Sequence, residues 1–131
     1  MEKLTLAPTL NTPSINLDPV GNKFELKGES RPENVRNFYL PILEWLEKFA
    51  AEISGKGGSA PLDFSFNFEY FNSTSAKYIL DIFKILNSIN KAGNEVKVSW
   101  HYEEDDEDML EAGEDYESII RVPFKMIEIV E

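Results

Sequence analysis

The sequence predicts a single α/β domain with a mixed five-stranded sheet that carries its helices mainly on one face. Residues 63–71 alternate polar and apolar side chains, which indicates a half-buried strand. From about residue 76, apolar residues recur at spacings of three and four, which indicates a helix with one buried face. The predicted order β-β-α-β-α-β-(α)-β implies right-handed crossovers and adjacent parallel strands. Alternating strands, instead of wholly apolar ones, favour a sheet covered on one face only.

The first predicted element is a β-hairpin. Residues 14–18 and 23–28 both alternate in polarity, and the residues between them, PVGN, have the composition of a turn. Pro8, Pro13 and Pro19 interrupt any helix in the first 22 residues. We therefore expect the first strand to begin at Ser14.

The first predicted helix follows the hairpin. Its N-cap is expected at Ser30 or Arg31, Pro32 suits its first turn, and apolar residues repeat to about Ser54. Pro41 removes a backbone hydrogen bond, so we expect a kink or a first-turn break there. The next segment, residues 55–61, is predicted to be a flexible loop. It lacks the GxxxxGK[ST] spacing and a preceding strand, so we do not expect it to bind phosphate.

The central strand and helix meet at a polar turn. The strand is predicted to bury Phe64, Phe66, Phe68 and Tyr70 on one face. The helix is predicted to end near Lys91, before a glycine stop signal. Between strand and helix lie four small polar residues: Asn72, Ser73, Thr74 and Ser75.

This polar turn has two interpretations. Asn, Ser and Thr are preferred N-cap residues, so the turn could serve only to cap the helix. A single cap needs one side chain, however, and the turn supplies four. A phosphate on one of its hydroxyls would lie against free N–H groups at the positive end of the helix dipole, with Lys77 nearby. We therefore interpret this turn as the functional centre.

The last third of the chain contains a strand, an acidic segment and a final strand. Residues 95–103 alternate, with Trp100 predicted inward and His101 outward. Residues 103–117 hold ten acidic and no basic side chains, and the rest of the chain has 14 acidic and 13 basic ones. We predict a short helix from Asp106 to Ala112 that ends at Gly113, and a last strand from Ile119 to Val130 that contains or begins near Pro123. Because the negative charge is local and no basic cluster exists, we expect no nucleic-acid partner.

Composition excludes several kinds of function. The 131 residues include no cysteine and one histidine, which excludes disulfides, thiolate catalysis and zinc sites built on cysteines or several histidines. We expect no metal and no cofactor. No apolar run has the length of a membrane span, and the N-terminus lacks the plan of a signal peptide, so we expect a cytoplasmic protein without membrane insertion.

Candidate catalytic groups are few. A Ser–His–Asp arrangement would need His101 beside Ser73 or Thr74, but His101 lies well inside a predicted strand. No GxSxG elbow surrounds either hydroxyl. The acidic segment lacks the Asn and Gly spacing of a calcium loop, which favours a solvated charged segment over a metal site. We predict that the chain is not an enzyme.

Two motifs carry a resemblance to a known family. The motifs are Gly28, Glu29, Ser30 with Pro32, Glu33, Asn34 and a helix carrying Phe38, Tyr39, Trp45; then Tyr70, Phe71, Asn72, Ser73, Thr74, Ser75 with Lys77. With these motifs in their order and spacing, the chain resembles the SiaC-family regulatory phosphoproteins of bacteria over nearly its whole length, and we expect residues 1–131 to form a single SiaC-like domain. The resemblance implies a fold like that of the anti-sigma-factor antagonists (STAS-like).

The resemblance also implies a function. Such proteins switch partners: a cognate Ser/Thr protein kinase phosphorylates a hydroxyl at the strand-to-helix turn, and a PP2C-type phosphatase removes the phosphate. The unphosphorylated protein binds and activates a diguanylate cyclase, which raises cyclic di-GMP and promotes biofilm formation. The family's phosphoacceptor directly follows the Asn of the turn, which is Ser73 here, with Thr74 as the alternative. The acceptor in this family is a Thr or a Ser, and where one family member has Thr, this chain has Ser.

Other interpretations of the chain remain open. The acidic segment could steer a basic partner or only solubilise the chain. A small-molecule-binding module would need a deep apolar pocket. A constitutive interaction module would use all the hydroxyls of the turn as caps.

The resemblance also suggests which residues contact partner proteins. They are Tyr70, Phe71, Asn72, Ser75 and Lys77 around the turn, with Glu29, Ser30, Pro32, Glu33 and Asn34 before the first helix.

Overall fold

The structure is a computed structural model that describes residues 1–54 and 61–130, so residues 55–60 of the loop predicted at 55–61 lie outside the described residues. Within these two ranges the chain forms six strands and three helices. Their bounds are β1 Leu4–Leu6, β2 Ser14–Asp18, β3 Lys23–Ser30, α1 Val35–Ile53, β4 Leu62–Phe71, α2 Ser73–Lys91, β5 Val96–Glu103, α3 Glu107–Ile119 and β6 Phe124–Ile129.

The six strands form one mixed sheet in the order β1-β2-β3-β4-β5-β6. The first three strands pair antiparallel, and β3 to β6 pair parallel. The mixed sheet and the adjacent parallel strands are as predicted, but the count of five strands is wrong. The missed strand, β1, is only three residues long and pairs Leu4 with Leu17 of β2. Its three residues, Leu-Thr-Leu, alternate, but so short a run does not identify a strand in sequence, and its pairing with β2 defines it.

All three helices contact the same face of the sheet. The Phe24 ring of β3 lies 5.6 Å from the Phe49 ring of α1, and the Phe66 ring of β4 lies 4.7 Å from the Phe83 ring of α2. The indole Nε1 of Trp100 in β5 donates to the backbone oxygen of Met109 in α3 at 2.9 Å. The alternation of the central strands therefore predicted the covered face correctly.

The first helix starts later than predicted. Because β3 continues to Ser30, which pairs with Phe71 of β4, the chain is still extended where the cap was expected. Asn34 is the N-cap, and its side-chain oxygen accepts from the Asn37 N–H at 3.0 Å. Pro32 consequently precedes the helix. The helix is continuous across Pro41, so the expected break does not occur.

The acidic helix is longer than predicted, because Gly113 does not end it. The helix runs on to Ile119, with Asp106 as its N-cap. Gly113 is buried against the indole of Trp100, and a Cβ atom at this position would lie 2.5 Å from Trp100 Cδ1. The glycine therefore permits close packing of helix on sheet instead of marking a stop. The last strand starts at Phe124, directly after Pro123, where one of the two predicted starts lies.

Candidate functional site

The polar turn lies at the edge of the sheet where the parallel strands end. Ser30, at the end of β3, pairs with Phe71 at the end of β4, and β5 ends at Glu103. Each of the three helices begins shortly after one of these strands, so their N-termini meet at the same edge. In open α/β sheets this carboxyl-end edge is where ligands and partners commonly bind.

A register shift precedes the turn and changes which side chains are exposed. Gly28 pairs with Phe68, whereas Glu29 pairs with Tyr70, so Glu69 is an extra residue on β4. The Tyr70 side chain is 50% exposed as a result, and the prediction that it shares the buried face with Phe68 is wrong. Phe71 turns towards the core instead, and its ring lies 6.1 Å from that of Trp100. Such bulges often re-aim side chains beside functional sites.

Asn72 caps the second helix. Its side-chain oxygen accepts hydrogen bonds from the Ser75 N–H at 2.9 Å and from the Thr74 hydroxyl at 3.1 Å. The helix therefore begins at Ser73, and the remaining residues of the turn form its first turn. A single cap by Asn72 is what the capping interpretation predicts. The constitutive interaction module would use all the hydroxyls of the turn as caps, and the structure does not have this arrangement.

Ser75 belongs to a buried hydroxyl network. Its hydroxyl donates to the Ser30 backbone oxygen at 3.0 Å and accepts from the Ser30 hydroxyl at 2.9 Å. The Ser30 hydroxyl also bonds to the Tyr39 hydroxyl of α1. Burial raises the pKa of Tyr39 to about 12, so its hydroxyl stays protonated and can donate. Ser30 and Ser75 were expected to face a partner, but both are fully buried and face each other.

Ser73 is the hydroxyl of the turn that remains available. Its side chain is exposed, and its hydroxyl has no hydrogen-bond partner among the described residues. Its own N–H and that of Thr74 belong to the first turn of the helix, where no helical carbonyl can accept them. Lys77 is exposed one turn further on, with its Nζ 6.0 Å from the centroid of the Tyr78 ring.

The residues before α1 lie beside the turn. The Asn72 N–H donates to the Ser30 backbone oxygen at 3.0 Å, which joins the two segments directly. Glu29 forms an ion pair with Arg31 at 2.8 Å. The rest of the segment is less engaged: Pro32 is half-buried, and Glu33 and Asn34 are exposed.

The acidic helix also contacts the start of α2, through Tyr116, which was not among the site residues expected from sequence. The Tyr116 hydroxyl donates to the Ala76 backbone oxygen at 2.9 Å, in the first turns of α2. Burial raises the pKa of Tyr116 as well. No sequence signal connects residues 40 positions apart, because only the packing of α3 on the sheet brings them together.

An open groove of about 320 Å³ separates the end of β4 from the start of α3. It is lined by Glu69, Tyr70, Phe71, Asp106, Asp108, Met109 and Ala112. Because the groove is open to solvent, it does not have the enclosed shape expected of a small-molecule site.

His101 does not join the turn. Its Nε2 lies 3.0 Å from the hydroxyl of Ser65, on the strand face away from the helices, so no Ser–His pair with Ser73 or Thr74 is seen. Burial lowers the pKa of His101, against the opposing effect of Glu25 and Asp63.

Within residues 1–54 and 61–130, no group of three or more His, Asp or Glu side chains is placed to hold a metal ion. No helix in the same ranges is long and apolar enough to cross a membrane.

Comparison with known proteins shows a consistent set of relatives. A family model described as SiaC family regulatory phosphoprotein matches residues 6–129. An uncharacterized protein of Pseudomonas aeruginosa strain UCBPP-PA14 is 29% identical over 124 residues, which cover 95% of this chain and 94% of the relative. The crystal structure of apo-SiaC from Pseudomonas aeruginosa superimposes with a TM-score of 0.84 at 28% identity, covering 97% of this chain and 99% of that one. SiaC in complex with the diguanylate cyclase SiaD, which it activates, superimposes with a TM-score of 0.86 at 28% identity, covering 96% and 99%.

Proposed function

The chain belongs to the SiaC family of regulatory phosphoproteins, and on this premise we propose that it is a non-enzymatic regulator that switches partners. Ser73 is reversibly phosphorylated, by a cognate Ser/Thr kinase and a PP2C-type phosphatase. The unphosphorylated form binds and activates a diguanylate cyclase, in cyclic di-GMP signalling that promotes biofilm formation. The proposal includes a cytoplasmic location and a STAS-like relationship of the fold.

The observation that carries this proposal is the difference between the three hydroxyls of the turn. Ser75 is buried against Ser30, and the Thr74 hydroxyl is bonded to the Asn72 cap. Ser73 is exposed, and its hydroxyl is not bonded to any described residue. Thr74 is also exposed, but its hydroxyl would have to give up the bond to the Asn72 cap before a kinase could modify it, so this arrangement favours Ser73 as the acceptor.

The position of Ser73 also suits a phosphate. A phosphoserine carries close to two negative charges, and here it would lie beside free N–H groups at the positive end of the α2 dipole. Lys77, one helical turn away, adds a positive charge on the same helix. The phosphate would change the size and charge of the surface around the turn, which lowers affinity for a partner packed closely there.

The proposed partner class follows from the relatives. SiaC of Pseudomonas aeruginosa forms a complex with the cyclase SiaD as its activator, and its structure matches this chain over nearly the full length of both. The exposed Tyr70 and the segment around Glu33 and Asn34 lie next to the turn and would form part of the contact surface.

A binding experiment tests the switch. The wild-type chain, Ser73→Ala and a chain with genetically encoded phosphoserine at position 73 are titrated against the diguanylate cyclase of the same organism, and cyclic di-GMP production is followed. We expect wild-type affinity for Ser73→Ala and a loss of at least about tenfold with phosphoserine, the size of a typical coupling between sites. Phosphoserine at position 74 is the matched control. Equal binding and activation by all forms would show a constitutive interaction module instead.

A further inference from the structure

We propose that the groove between β4 and α3 docks a basic, amphipathic segment of the partner protein. One apolar side chain of that segment would lie on the floor of the groove, and its Lys or Arg side chains would face the rim. The inference rests on the proposed function in taking the partner to be a protein.

The floor of the groove offers apolar and aromatic surface at the protein exterior. It comprises Tyr70, Phe71, Met109 and Ala112. Tyr70 is half exposed because the extra residue in β4 rotates it away from the core. A rigid aromatic ring that is held by a strand loses little entropy on binding, and such residues dominate the energetics of protein interfaces.

The rim of the groove is acidic and its carboxylates form no ion pair among the described residues, although Asp106 also caps α3 by accepting from the Met109 N–H. It carries the carboxylates of Glu69, Asp106 and Asp108. In the part of the chain that the structure describes, the ion pairs are those of Met1 with Glu52 and Glu29 with Arg31, so none involves the rim. The same edge continues into a second hollow lined by Glu103, Glu104, Asp105 and Ile129.

This charge selects the kind of partner. Clustered carboxylates beside a low-dielectric apolar floor attract cationic groups and raise the rate of association with them. They repel acidic segments and nucleic acid. Because the described residues hold no cluster arranged for a metal ion, a protein segment that combines positive charge with an apolar side chain matches both features of the groove.

The groove is a contact that phosphorylation does not disrupt. It adjoins the switched surface at Tyr70, but its acidic rim lies at the end of β4 and the start of α3 and not on the turn. A phosphate on Ser73 would add negative charge, which would attract and not repel a basic segment. The groove therefore contributes affinity in both states, and phosphorylation acts on the closely packed surface around the turn. Weakening the groove should lower affinity for both forms without changing the ratio between them.

Designed peptides provide the probe. The first peptide is a capped helix with Leu on one face and Lys on the other. In the second peptide the Leu residues are replaced by Ser, and in the third the Lys residues are replaced by Glu. Binding to the unphosphorylated full chain is measured by fluorescence anisotropy, and the site is mapped by amide chemical shifts. We expect the first peptide to bind and to shift residues 69–71 and 106–112, the second to bind at least about tenfold more weakly, and the third not to bind.

Matched variants locate the effect. Asp108→Asn should weaken binding of the first peptide by about two- to fivefold, as expected for one exposed charge. Tyr70→Ala should weaken it by about tenfold. Glu114→Gln removes the same charge from the same helix, but Glu114 does not line the groove, so its effect should stay below about twofold. Circular dichroism confirms that each variant is folded.

Several results would overturn the proposal. Equal losses from Asp108→Asn and Glu114→Gln, or equal binding of the Leu and Ser peptides, would show diffuse charge attraction. Absence of binding, or shifts confined to other surfaces, would reject the groove. Displacement of the peptide by about 1 mM Ca²⁺ would indicate a cation site instead. Dimerisation that Tyr70→Ala abolishes, measured by ultracentrifugation, would indicate that a second copy of the chain occupies the groove. Because these assays use neither cyclase nor phosphate, their failure leaves the Ser73 switch untouched, and failure of the switch leaves the groove untouched.

Discussion

The hydroxyl of Ser75 donates a hydrogen bond to the backbone oxygen of Ser30 across 3.0 Å, and so joins the first turn of α2 to the end of β3. The Ser30 hydroxyl donates in return to Ser75 at 2.9 Å and bonds to Tyr39 of α1. Three elements that are distant in sequence are therefore held at one buried point. Because Ser75 is held there, the first turn of α2 is fixed against β3, and Ser73, two residues earlier in the same turn, is exposed.

Replacing Ser75 should destabilise the fold. Ser75→Ala removes a donor and an acceptor from a fully buried network, so we expect the free energy of unfolding to fall by about 1–3 kcal/mol. Urea denaturation measures this change. Ser73→Ala is the matched control in the same turn, and because Ser73 is exposed, its effect should stay within about 0.5 kcal/mol. Equal effects of the two variants would show that the buried network contributes no stability.

Negative charge at Ser73 should stabilise the isolated protein. Ser73→Asp places a carboxylate at the positive end of the α2 dipole, which is worth about 0.3–1 kcal/mol at low ionic strength. Thermal unfolding in low and high salt measures the effect, and salt should reduce it. Ser88→Asp, an exposed position near the other end of the same helix, should have the opposite sign. Stabilisation by both variants would refute the dipole explanation.

A methyl group at Gly113 should clash with the sheet. An added Cβ atom would lie 2.5 Å from Trp100 Cδ1 and 2.7 Å from its Nε1, so the helix or the indole must move. We expect Gly113→Ala to lower the free energy of unfolding by about 1–3 kcal/mol, as for other overpacked cores. Helix propensity alone predicts a gain of up to about 1 kcal/mol. Urea denaturation distinguishes the two signs, and Glu114→Ala at the adjacent exposed position is the control.

His101 should make stability depend on pH. Burial, the largest cause, lowers its pKa in the folded protein below the ordinary value of 6.5, so the unfolded chain binds protons more readily. The stability linked to His101 is therefore fully present above about pH 6.5 and is lost as pH falls towards the lower folded pKa. Comparing wild type with His101→Gln in urea between about pH 5 and 8 isolates this contribution from the carboxylates. Parallel pH profiles for the two proteins would contradict the prediction.

Much of the fold and the location of the candidate site could be predicted from local patterns. The alternation of residues 63–71 and the later helical spacing identified the central strand and helix, and the order of elements predicted parallel neighbours. The same patterns identified the polar turn at residues 72–75. These inferences succeeded because a half-buried element repeats its apolar residues with the period of its own backbone.

Other features depend on pairings between distant residues, which leave no periodic trace. The strand Leu4–Leu6 is defined by its partner β2, and the exposure of Tyr70 follows from one extra residue relative to β3. Gly113 looks like a helix stop in sequence, but packing against Trp100 keeps it inside the helix. In each case a long-range contact overrode the local signal.

By itself, the sequence determined the class of fold, the covered face of the sheet, the local concentration of acidic charge and the strand-to-helix turn. Only the tertiary structure decided which hydroxyls of that turn are exposed and which is buried. Ser73, Thr74 and Ser75 are chemically alike and adjacent, but Ser73 and Thr74 are exposed, whereas Ser75 is buried against Ser30, which lies 45 positions away. Side-chain environment depends on what packs against each face, and that is set by the sheet as a whole.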